Sequence, residues 1–427
     1  MALTESPYQR AVAAIEAVSW RGMKPGLERT EAVLAALGNP QQTMRGVLVA
    51  GTNGKGSVCA VVDSVLRAAS LHTVLLTKPH LVSYRERIVI DGEWIDEAGF
   101  AGVVDAVTAV TAALDEELQP TGFEMLTAAG ILAAANAGAG ALVCEVGLGG
   151  RLDSTNVLDL GVAAVTNVGL DHQQHLGDTV TAIAREKAAI IKRGDIAITG
   201  AAEPALSVVR ERCEQMGAPL HAVDVPALTS RSLGRQGVEV DTVFDGSPVL
   251  LHSPLIGRFQ AGNLAVAAAV CDELRRNGMP IDVAALQAGC RTARWRGRMQ
   301  WIDGTPPVLV DGAHNPDGMR AMTASLDDIR GPGRLAVVFA AMRDKDIASM
   351  ADTLRGARPD AVFTTAPSVA RAADPAELAA LFGGAARAVA GSDAALDEAR
   401  SAAGRDGLVV ACGSLFLAGE VLSLLGA

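Results

Sequence analysis

Short runs of apolar residues recur along the first half of the chain, and each is followed by a stretch with helical spacing of apolar positions. The runs cover residues 47–50, 74–77, 141–146, 162–168 and 196–199. They are continuously apolar rather than alternating, which indicates strands covered on both faces, as in a parallel α/β sheet. The pattern therefore predicts a doubly wound α/β domain built on these strands.

The alternation of strands and helices starts again after a basic segment at residues 291–298. Further apolar runs lie at 307–311, 335–340, 361–364 and 408–411. They predict a second, smaller doubly wound domain. We place the boundary after residue 295, which gives domains at 1–295 and 296–427.

Turn and helix signals fill the segments between these strands. Asp91-Gly92 and Asp245-Gly246 each separate two β-like segments and predict hairpins. Helices are predicted at 261–276 and 283–288, with Gly289 as the stop signal of the second.

One uncharged run, at residues 125–144, is long enough to span a bilayer. It is rich in Ala and Gly, contains Asn136, and breaks at residues 138–140. The run therefore favours a buried helix followed by a buried strand over a membrane span.

Composition excludes several classes of partner. The 427-residue chain has a formal net charge of −11, which argues against binding to nucleic acid or to an anionic membrane surface. Any anionic ligand must be held by a local cluster of residues.

The six cysteines contain no CxxC pair and are mostly in apolar runs, which predicts buried thiols in a reducing compartment. With no signal-peptide pattern at the start, we expect a cytoplasmic protein.

The segment VLVAGTNGKGS at residues 47–57 carries the clearest chemical signal. A buried strand, a glycine-rich turn and a helix follow one another there, and such a turn points backbone N–H groups at a phosphate beside the helix N-terminus. Lys55 would add a point charge on the phosphates, and the Ser57 hydroxyl can ligate magnesium. Gly56 separates the two, so the usual GxxxxGK[ST] pattern is not met. We nevertheless predict a phosphate site rather than a structural turn.

Polar residues end the two predicted strands that follow. Glu145 ends an apolar strand and precedes a glycine-rich turn, a position where a nucleotide-bound magnesium finds an oxygen ligand. The next strand ends in Thr166-Asn167, and His172 follows it. A solvated glutamate and a structural histidine are the alternatives. Because Ser57, Glu145 and His172 all follow strands that end at the same edge of the predicted sheet, we favour contact of these residues with metal or phosphate over the two alternatives.

Lys187 lies on the apolar stripe of a helix predicted at residues 178–192. The stripe also contains Val180, Ile183, Ala184 and Ile191. A lysine in such a position extends its ammonium to solvent, pairs with a carboxylate, or is chemically altered.

The second domain has two polar strand–helix turns. Asp311 and His314 lie where a strand meets a helix, with Asn315 as a candidate cap and Pro316 in the first turn. Asp344-Lys345-Asp346 occupies the next such turn. Helix capping alone would explain the polar residues of both turns. They are candidates for a site only because both turns lie at the same edge of the predicted sheet.

Taken together, these segments resemble the folylpolyglutamate synthase/dihydrofolate synthase family of the Mur-type ligases. The most specific matches are EVGLGGRLDSTN at 145–156 and DGAHNP at 311–316, and further matches extend over essentially the whole chain. The resemblance implies a P-loop ATPase-like domain that binds ATP and a pterin, followed by a Rossmann-like ligase domain. The implied activity joins L-glutamate to dihydropteroate or a reduced folate through an acyl phosphate.

The resemblance also implies roles for individual residues. The ATP phosphates would be held by Asn53, Gly54, Lys55, Gly56 and Ser57. The nucleotide site would be completed by Asn263, Arg298 and Asp311, with His314 nearby as a catalytic residue. Magnesium would be bound by Ser57, Glu145 and His172, and Lys187 matches the lysine that the family carbamylates. The pterin site would be lined by Thr121, Gly122, Phe123, Glu124, Leu152 and Ser154, with Phe123 offering a stacking face.

One position departs from the family. The chain has Lys78-Pro79-His80 where the family usually has Ser-Pro-His, and that serine is a magnesium ligand. A charged lysine has no acceptor and repels a cation. Either one metal site is altered, or Lys78 binds a phosphate and replaces the metal by its own charge.

Two alternative functions remain at this point. One is a ligase of the same chemistry with another acceptor, such as a cell-wall precursor. The other is a nucleotide-binding protein without ligase turnover. In either case we expect small-molecule partners, no nucleic acid, no membrane, and a monomer.

Overall fold

The structure is a computed structural model that describes residues 5–22 and 24–427. The chain forms two compact units. The first contains residues 1–228, 242–249 and 262–292, and the second contains residues 229–241, 250–261 and 293–427.

The first unit is an α/β unit that contains the glycine-rich turn. Its helices are α1 (Pro7–Ser19), α2 (Glu28–Ala36), α3 (Lys55–Ala68), α4 (Glu97–Thr111), α5 (Gly122–Asn136), α6 (Gln173–Leu176), α7 (Val180–Ala188), α8 (Ala205–Met216), most of α9 (Gln260–Arg276), and α10 (Val283–Thr292). Its sheet consists of β1 (Gly46–Ala50), β2 (Thr73–Leu76), β3 (Ile88–Ile90), β4 (Glu93–Trp94), β5 (Ala141–Glu145), β6 (Gly161–Val165), β7 (Ile196–Thr199) and β8 (Leu220–Ala222).

The sheet of the first unit has the strand order β4-β3-β2-β5-β1-β6-β7-β8. All neighbouring pairs from β2 to β8 are parallel, and β3 and β4 join antiparallel at one edge. Every residue of β1 is buried, as its continuous apolar run predicted. All five predicted strands of this unit are confirmed.

A separate three-stranded sheet follows, with the order β11-β10-β9. Its strands are β9 (Ser230–Ser232), β10 (Val238–Phe244) and β11 (Ser247–Ser253). Both Asp-Gly hairpins are confirmed: Asp91, Gly92, Asp245 and Gly246 all have the positive φ angles that such turns require.

The second unit contains a mainly parallel sheet of the order β12-β13-β17-β14-β15-β16. Its strands are β12 (Gln300–Ile302), β13 (Val308–Val310), β14 (Leu335–Phe339), β15 (Ala361–Thr364), β16 (Ala386–Ala388) and β17 (Leu408–Cys412). Its helices are α11 (Pro316–Leu326), α12 (Ile347–Gly356), α13 (Pro375–Ala380), α14 (Ser392–Ala403) and α15 (Leu415–Leu425). The four strands predicted here are confirmed, and the α/β fold class holds for both units.

Three smaller predictions, on the uncharged run, the burial of the cysteines and the N-cap of α11, are also confirmed. The uncharged run divides into α5 and β5, with the break between them. Among the described residues, none of the helices is long and apolar enough to cross a membrane. All six cysteines are buried and free. Asn315 caps α11 by accepting a hydrogen bond from the Gly318 N–H, and Pro316 is the first residue of that helix.

Two predicted helices end at other residues than expected. The helix predicted at 178–192 is shorter, since α7 ends at Ala188. Gly289 does not stop α10, which continues to Thr292. A Cβ at Gly289 would lie 2.3 Å from Val65 Cα, so this glycine lets α10 approach the backbone of α3. The Ser64 hydroxyl donates to the Gly289 carbonyl at 2.8 Å across the same contact.

Gly289→Ala is therefore expected to destabilise the first unit by about 1–3 kcal/mol, because the added methyl group overpacks a backbone contact. Thermal unfolding monitored by circular dichroism measures the change. Gly102→Ala in α4 is the matched control: no atom lies within 4 Å of its Cβ position. That control should gain about 0.5–1 kcal/mol from helix propensity. Equal midpoints for the two variants would contradict the packing role of Gly289.

Candidate active site

The glycine-rich turn lies between β1 and α3, where the parallel strands of the sheet have their C-terminal ends. Gly54 has φ +82° and is the residue that precedes the first turn of α3. A Cβ at Gly54 would lie 2.2 Å from Asn263 Oδ1, and one at Gly51 would lie 1.9 Å from Thr166 Oγ1. Both glycines are therefore required by close contacts as well as by their positive φ angles. The contact at Gly54 also brings the predicted nucleotide residue Asn263 to this turn.

The segment after β6 stabilises the glycine-rich turn through hydrogen bonds. The Asn53 N–H donates to Asn167 Oδ1 at 2.9 Å, and the Thr166 hydroxyl donates to the Asn53 carbonyl at 2.7 Å. The Thr52 N–H donates to the Asn167 carbonyl at 2.9 Å. The strand predicted at 162–168 ends at Val165. The Thr166 N–H still donates to the Ala50 carbonyl at the end of β1, and from Asn167 onward the chain binds the turn. Sequence reasoning assigned no role to Thr166 and Asn167, although their polarity at a strand end was a signal.

Two lysine ammonium groups meet at one backbone carbonyl. Lys55 Nζ donates to the carbonyls of Gly51 at 3.0 Å and Thr52 at 3.1 Å. Lys187 Nζ donates to the Gly51 carbonyl at 2.9 Å. Lys187 is only 5% exposed and is buried on α7 together with Ile183 and Ala184, so its amino group does not extend to solvent. Ile191, predicted on the same stripe, lies beyond the end of this helix.

Burial and the nearby charge of Lys55 lower the pKa of Lys187 to about 7, against the opposing effects of Asp171 and Asp153. A lysine ordinarily has a pKa near 10.4. At neutral pH the protein therefore holds a large fraction of Lys187 as the neutral amine, which is the form that reacts as a nucleophile.

The three predicted magnesium ligands lie on elements that meet at this edge. Ser57 is buried in the first turn of α3, and Glu145 is buried at the end of β5, opposite Val49 of β1. His172 is partly exposed, has φ +51°, and directly precedes α6. Within the described part of the chain, no group of three or more His, Cys, Asp and Glu side chains is placed to hold a metal ion.

Those residues nevertheless fit a magnesium ion that arrives with a nucleotide. Such an ion keeps phosphate oxygens and waters as ligands and needs only one or two protein oxygens. The Glu145 carboxylate and the Ser57 hydroxyl are buried oxygen donors on elements adjoining β1.

The predicted pterin residues fall on α5 and on the loop after β5. The Ser154 and Thr127 hydroxyls are hydrogen-bonded at 2.7 Å, which ties that loop to α5. A Cβ at Gly147 would lie 2.6 Å from Phe123 Cζ, so the loop also contacts the Phe123 ring. Leu152 is 38% exposed and offers an apolar surface beside Ser154.

The first turn of α5 is held by a buried ion pair. Thr121 and Glu124 form a capping box, and Gly122 is buried between them. The Glu124 carboxylate accepts hydrogen bonds from Arg29 Nε at 3.0 and 3.1 Å and from the Thr121 N–H at 2.7 Å. These contacts tie α5, the helix that carries Phe123, to α2.

His80, in the segment between β2 and β3, is held in its neutral form. Arg87 Nε donates to His80 Nδ1 at 2.8 Å. Burial and the charge of Arg87 lower the pKa of His80 from 6.5 to about 4. The folded state therefore binds fewer protons than the unfolded state between those two pH values.

Stability should accordingly fall as the pH decreases from about 6.5 to 4, by up to about 1.4 kcal/mol per unit of pH from this histidine. His80→Gln keeps an acceptor for Arg87 but cannot titrate, so its unfolding free energy should fall less over this range. His252→Gln, at a partly exposed position in β11, is the control. Parallel pH profiles for the parent chain and His80→Gln would contradict the assignment.

In the second unit, three predicted residues form a cluster. The buried Asp311 accepts hydrogen bonds from the N–H groups of Met299 and Ala313, each at 2.7 Å. Burial raises the pKa of Asp311, and the Arg298 guanidinium partly offsets that rise. His314 Nδ1 is 2.8 Å from the Gly312 carbonyl, and a Cβ at Gly312 would lie 2.5 Å from Arg298 Nη1. The structure thus brings Arg298, Asp311 and His314 together.

Two family models match the chain. The Mur ligase middle domain matches residues 49–271, and the Mur ligase glutamate ligase domain matches residues 297–415. A folylpolyglutamate synthase from Lacticaseibacillus casei is 36% identical over 364 residues, which cover 82% of this chain and 84% of the relative. The chain belongs to the folylpolyglutamate synthase/dihydrofolate synthase family.

Some relatives of this family are longer. A probable bifunctional folylpolyglutamate synthase/dihydropteroate synthase from Halobacterium salinarum is 36% identical over 408 residues. The match covers 93% of this chain but 49% of that protein, so the chain spans about half the length of such relatives.

Solved structures of the family share the fold over the whole chain. The Escherichia coli FolC complex with DHPP and ADP has a TM-score of 0.88 and 29% identity, and the alignment covers 100% of this chain and 99% of that one. A bifunctional folylpolyglutamate synthase/dihydrofolate synthase with Mn, AMPPNP and L-glutamate bound has a TM-score of 0.86 and 29% identity, covering 99% and 98%.

Proposed function

We propose that this chain is an ATP-dependent ligase that adds L-glutamate to the carboxylate of dihydropteroate and of reduced folates. The observation that carries the proposal is the convergence of Lys55 and the buried Lys187 on the Gly51 carbonyl, inside a glycine-rich turn beside the strand-end Glu145. Relatives in the same family support it, since solved members hold ADP with DHPP, or AMPPNP with L-glutamate.

The reaction has two steps. The acceptor carboxylate attacks the γ-phosphorus of ATP, which gives an acyl phosphate and ADP. The α-amino group of glutamate then attacks the acyl carbon, and inorganic phosphate leaves from the tetrahedral intermediate with loss of a proton from nitrogen. Lys55 stabilises the charge that develops on the transferring phosphoryl group.

Within the first unit, Asn53, Gly54, Gly56 and Asn263 are the proposed further contacts to the nucleotide. In the second unit the proposed nucleotide contacts are Arg298 and Asp311, with His314 in a catalytic role. The acceptor contacts proposed are Thr121, Gly122, Phe123, Glu124, Leu152 and Ser154.

Magnesium would be held by Ser57, Glu145 and His172. When bound, it supplies positive charge to the phosphate oxygens. Lys187, as a carbamate, would add an anion at this position.

The remaining features of the proposal concern organisation and partners. We propose functional domains at residues 1–295 and 296–427, a monomeric state, and small-molecule substrates only. The net charge of −11 supports the absence of a nucleic-acid or membrane partner. The free cysteines support a reducing compartment such as the cytoplasm.

Glutamate-dependent ADP release tests the function directly. The assay is run with dihydropteroate and, separately, with tetrahydrofolate, each with and without L-glutamate. We expect release with both acceptors. Release with one alone would reduce the proposal to a single activity. A cell-wall ligase would release ADP with neither, and a protein without ligase turnover would bind ADP but show no glutamate dependence.

A further inference from the structure

Lys78 joins the two parts of the candidate site in the first unit. It follows β2, and its backbone N–H donates to Glu145 Oε2 at 3.1 Å. Its ammonium donates to the Glu145 carbonyl at 3.4 Å and lies 4.7 Å from the centroid of the Phe123 ring. The Lys78 side chain thus reaches from the strand end that carries Glu145 to Phe123, one of the proposed contacts to the acceptor substrate.

The two direct partners of the ammonium carry no formal charge. A carbonyl oxygen and an aromatic face are dipolar and quadrupolar partners that attract a cation without cancelling its charge. The Glu145 carboxylate itself is bonded by the Lys78 backbone N–H, while the ammonium contacts the Glu145 carbonyl and the Phe123 ring. An ammonium has three N–H donors, so this group can donate a hydrogen bond to an anionic ligand in addition to its present partners.

The position of the ammonium identifies which anion it would take. Lys55 and Lys187 both contact the Gly51 carbonyl and so lie on the phosphate side of the site. Lys78 contacts Phe123 instead, whose ring also lies against Gly147. The Lys78 ammonium therefore lies on the acceptor side of the site.

We propose that Lys78 positions the acceptor substrate by pairing with its reacting carboxylate. This inference rests on the proposed function. The ion pair would orient the carboxylate oxygen toward the γ-phosphorus, and Lys78 neither gains nor loses a proton in that step. Serine at this position would lack both the charge and the length to reach the Phe123 ring.

Equilibrium binding of dihydropteroate and of its methyl ester separates charge pairing from packing. The parent chain should bind the acid about 10- to 100-fold more tightly than the ester, the range expected for one charge-assisted hydrogen bond. In Lys78→Met, which keeps length but removes charge, the preference should fall below about threefold. Lys78→Arg should restore part of it, while the Kd of ADP with saturating magnesium stays unchanged in all variants.

Three outcomes would overturn the inference. Equal weakening of acid and ester in Lys78→Met would mean that Lys78 only packs on Phe123. An unchanged acid preference, combined with a lower magnesium requirement for ADP binding in Lys78→Ser, would mean that Lys78 only replaces a metal ligand. If Lys78→Met fails to fold, Lys78→Gln is used, and an unchanged acid preference in that variant contradicts the pairing. Absence of glutamate-dependent ADP release in the parent chain would instead overturn the proposed function.

Discussion

Lys55→Ala is expected to lower the turnover number for glutamate-dependent ADP release by about a hundred- to a thousandfold, equivalent to about 3–4 kcal/mol of barrier. The ammonium lies inside the glycine-rich turn, fixed by the carbonyls of Gly51 and Thr52. Its loss removes a preorganised charge from the phosphoryl group that is being transferred. Steady-state kinetics at saturating ATP and acceptor measure the effect.

Two further variants make this prediction specific. Lys55→Arg keeps the charge but not its compact geometry, and should recover only part of the rate. Arg405→Ala removes an exposed cation in the second unit and should leave the rate unchanged. Turnover by Lys55→Ala within about tenfold of the parent would be incompatible with a phosphate-binding role for Lys55.

Lys187→Ala is the second variant with a large expected effect, and its activity should be restored in part by acetate or formate. Burial and Lys55 lower the pKa of Lys187 to about 7, so the neutral amine that adds carbon dioxide is abundant at neutral pH. The carbamate is an anion, and a small carboxylate can occupy the space left by its removal. We expect a loss of about a hundredfold or more, by analogy with other lost electrostatic groups.

Lys192→Ala is the matched control for this rescue. Burial also lowers the pKa of Lys192, but its ammonium is bound by Asn156 Oδ1 and the Leu158 carbonyl, each at 2.8 Å. Acetate should therefore not restore any activity lost in Lys192→Ala. A ¹³C carbamate signal from the parent chain in ¹³C-bicarbonate should grow as the pH rises through 7 and be missing from Lys187→Ala. No rescue and no such signal would leave Lys187 as an ordinary hydrogen-bonding lysine.

Much of the fold could be predicted from the sequence because hydrophobic burial follows local periodicity. Continuous apolar runs such as 47–50 and 335–340 become central strands, since both faces of these sheets are covered. The Asp91-Gly92 turn was equally predictable because few residue pairs accept two positive φ angles.

Part of the candidate site could also be predicted, because it depends on residues that are neighbours along the chain. Phosphate binding at a helix N-terminus needs a local sequence of strand, glycine-rich turn and helix, and residues 47–57 contain all three. The burial of Lys187 followed from its place on the helical stripe. The roles of Thr166 and Asn167 did not follow, because they act through hydrogen bonds to a segment more than a hundred residues away.

The strands, the glycine-rich turn and the buried position of Lys187 depend on neighbours along the chain, so local sequence was enough to predict them. The place of Gly289 inside α10 depends on another helix, because the position leaves no room for a side chain beside the backbone of Val65. The contacts of Lys78 depend on the fold in the same way: its flexible side chain reaches Phe123 and the Glu145 carbonyl, which α5 and β5 bring to it. A long side chain has many rotamers of similar energy, and the surrounding fold selects among them.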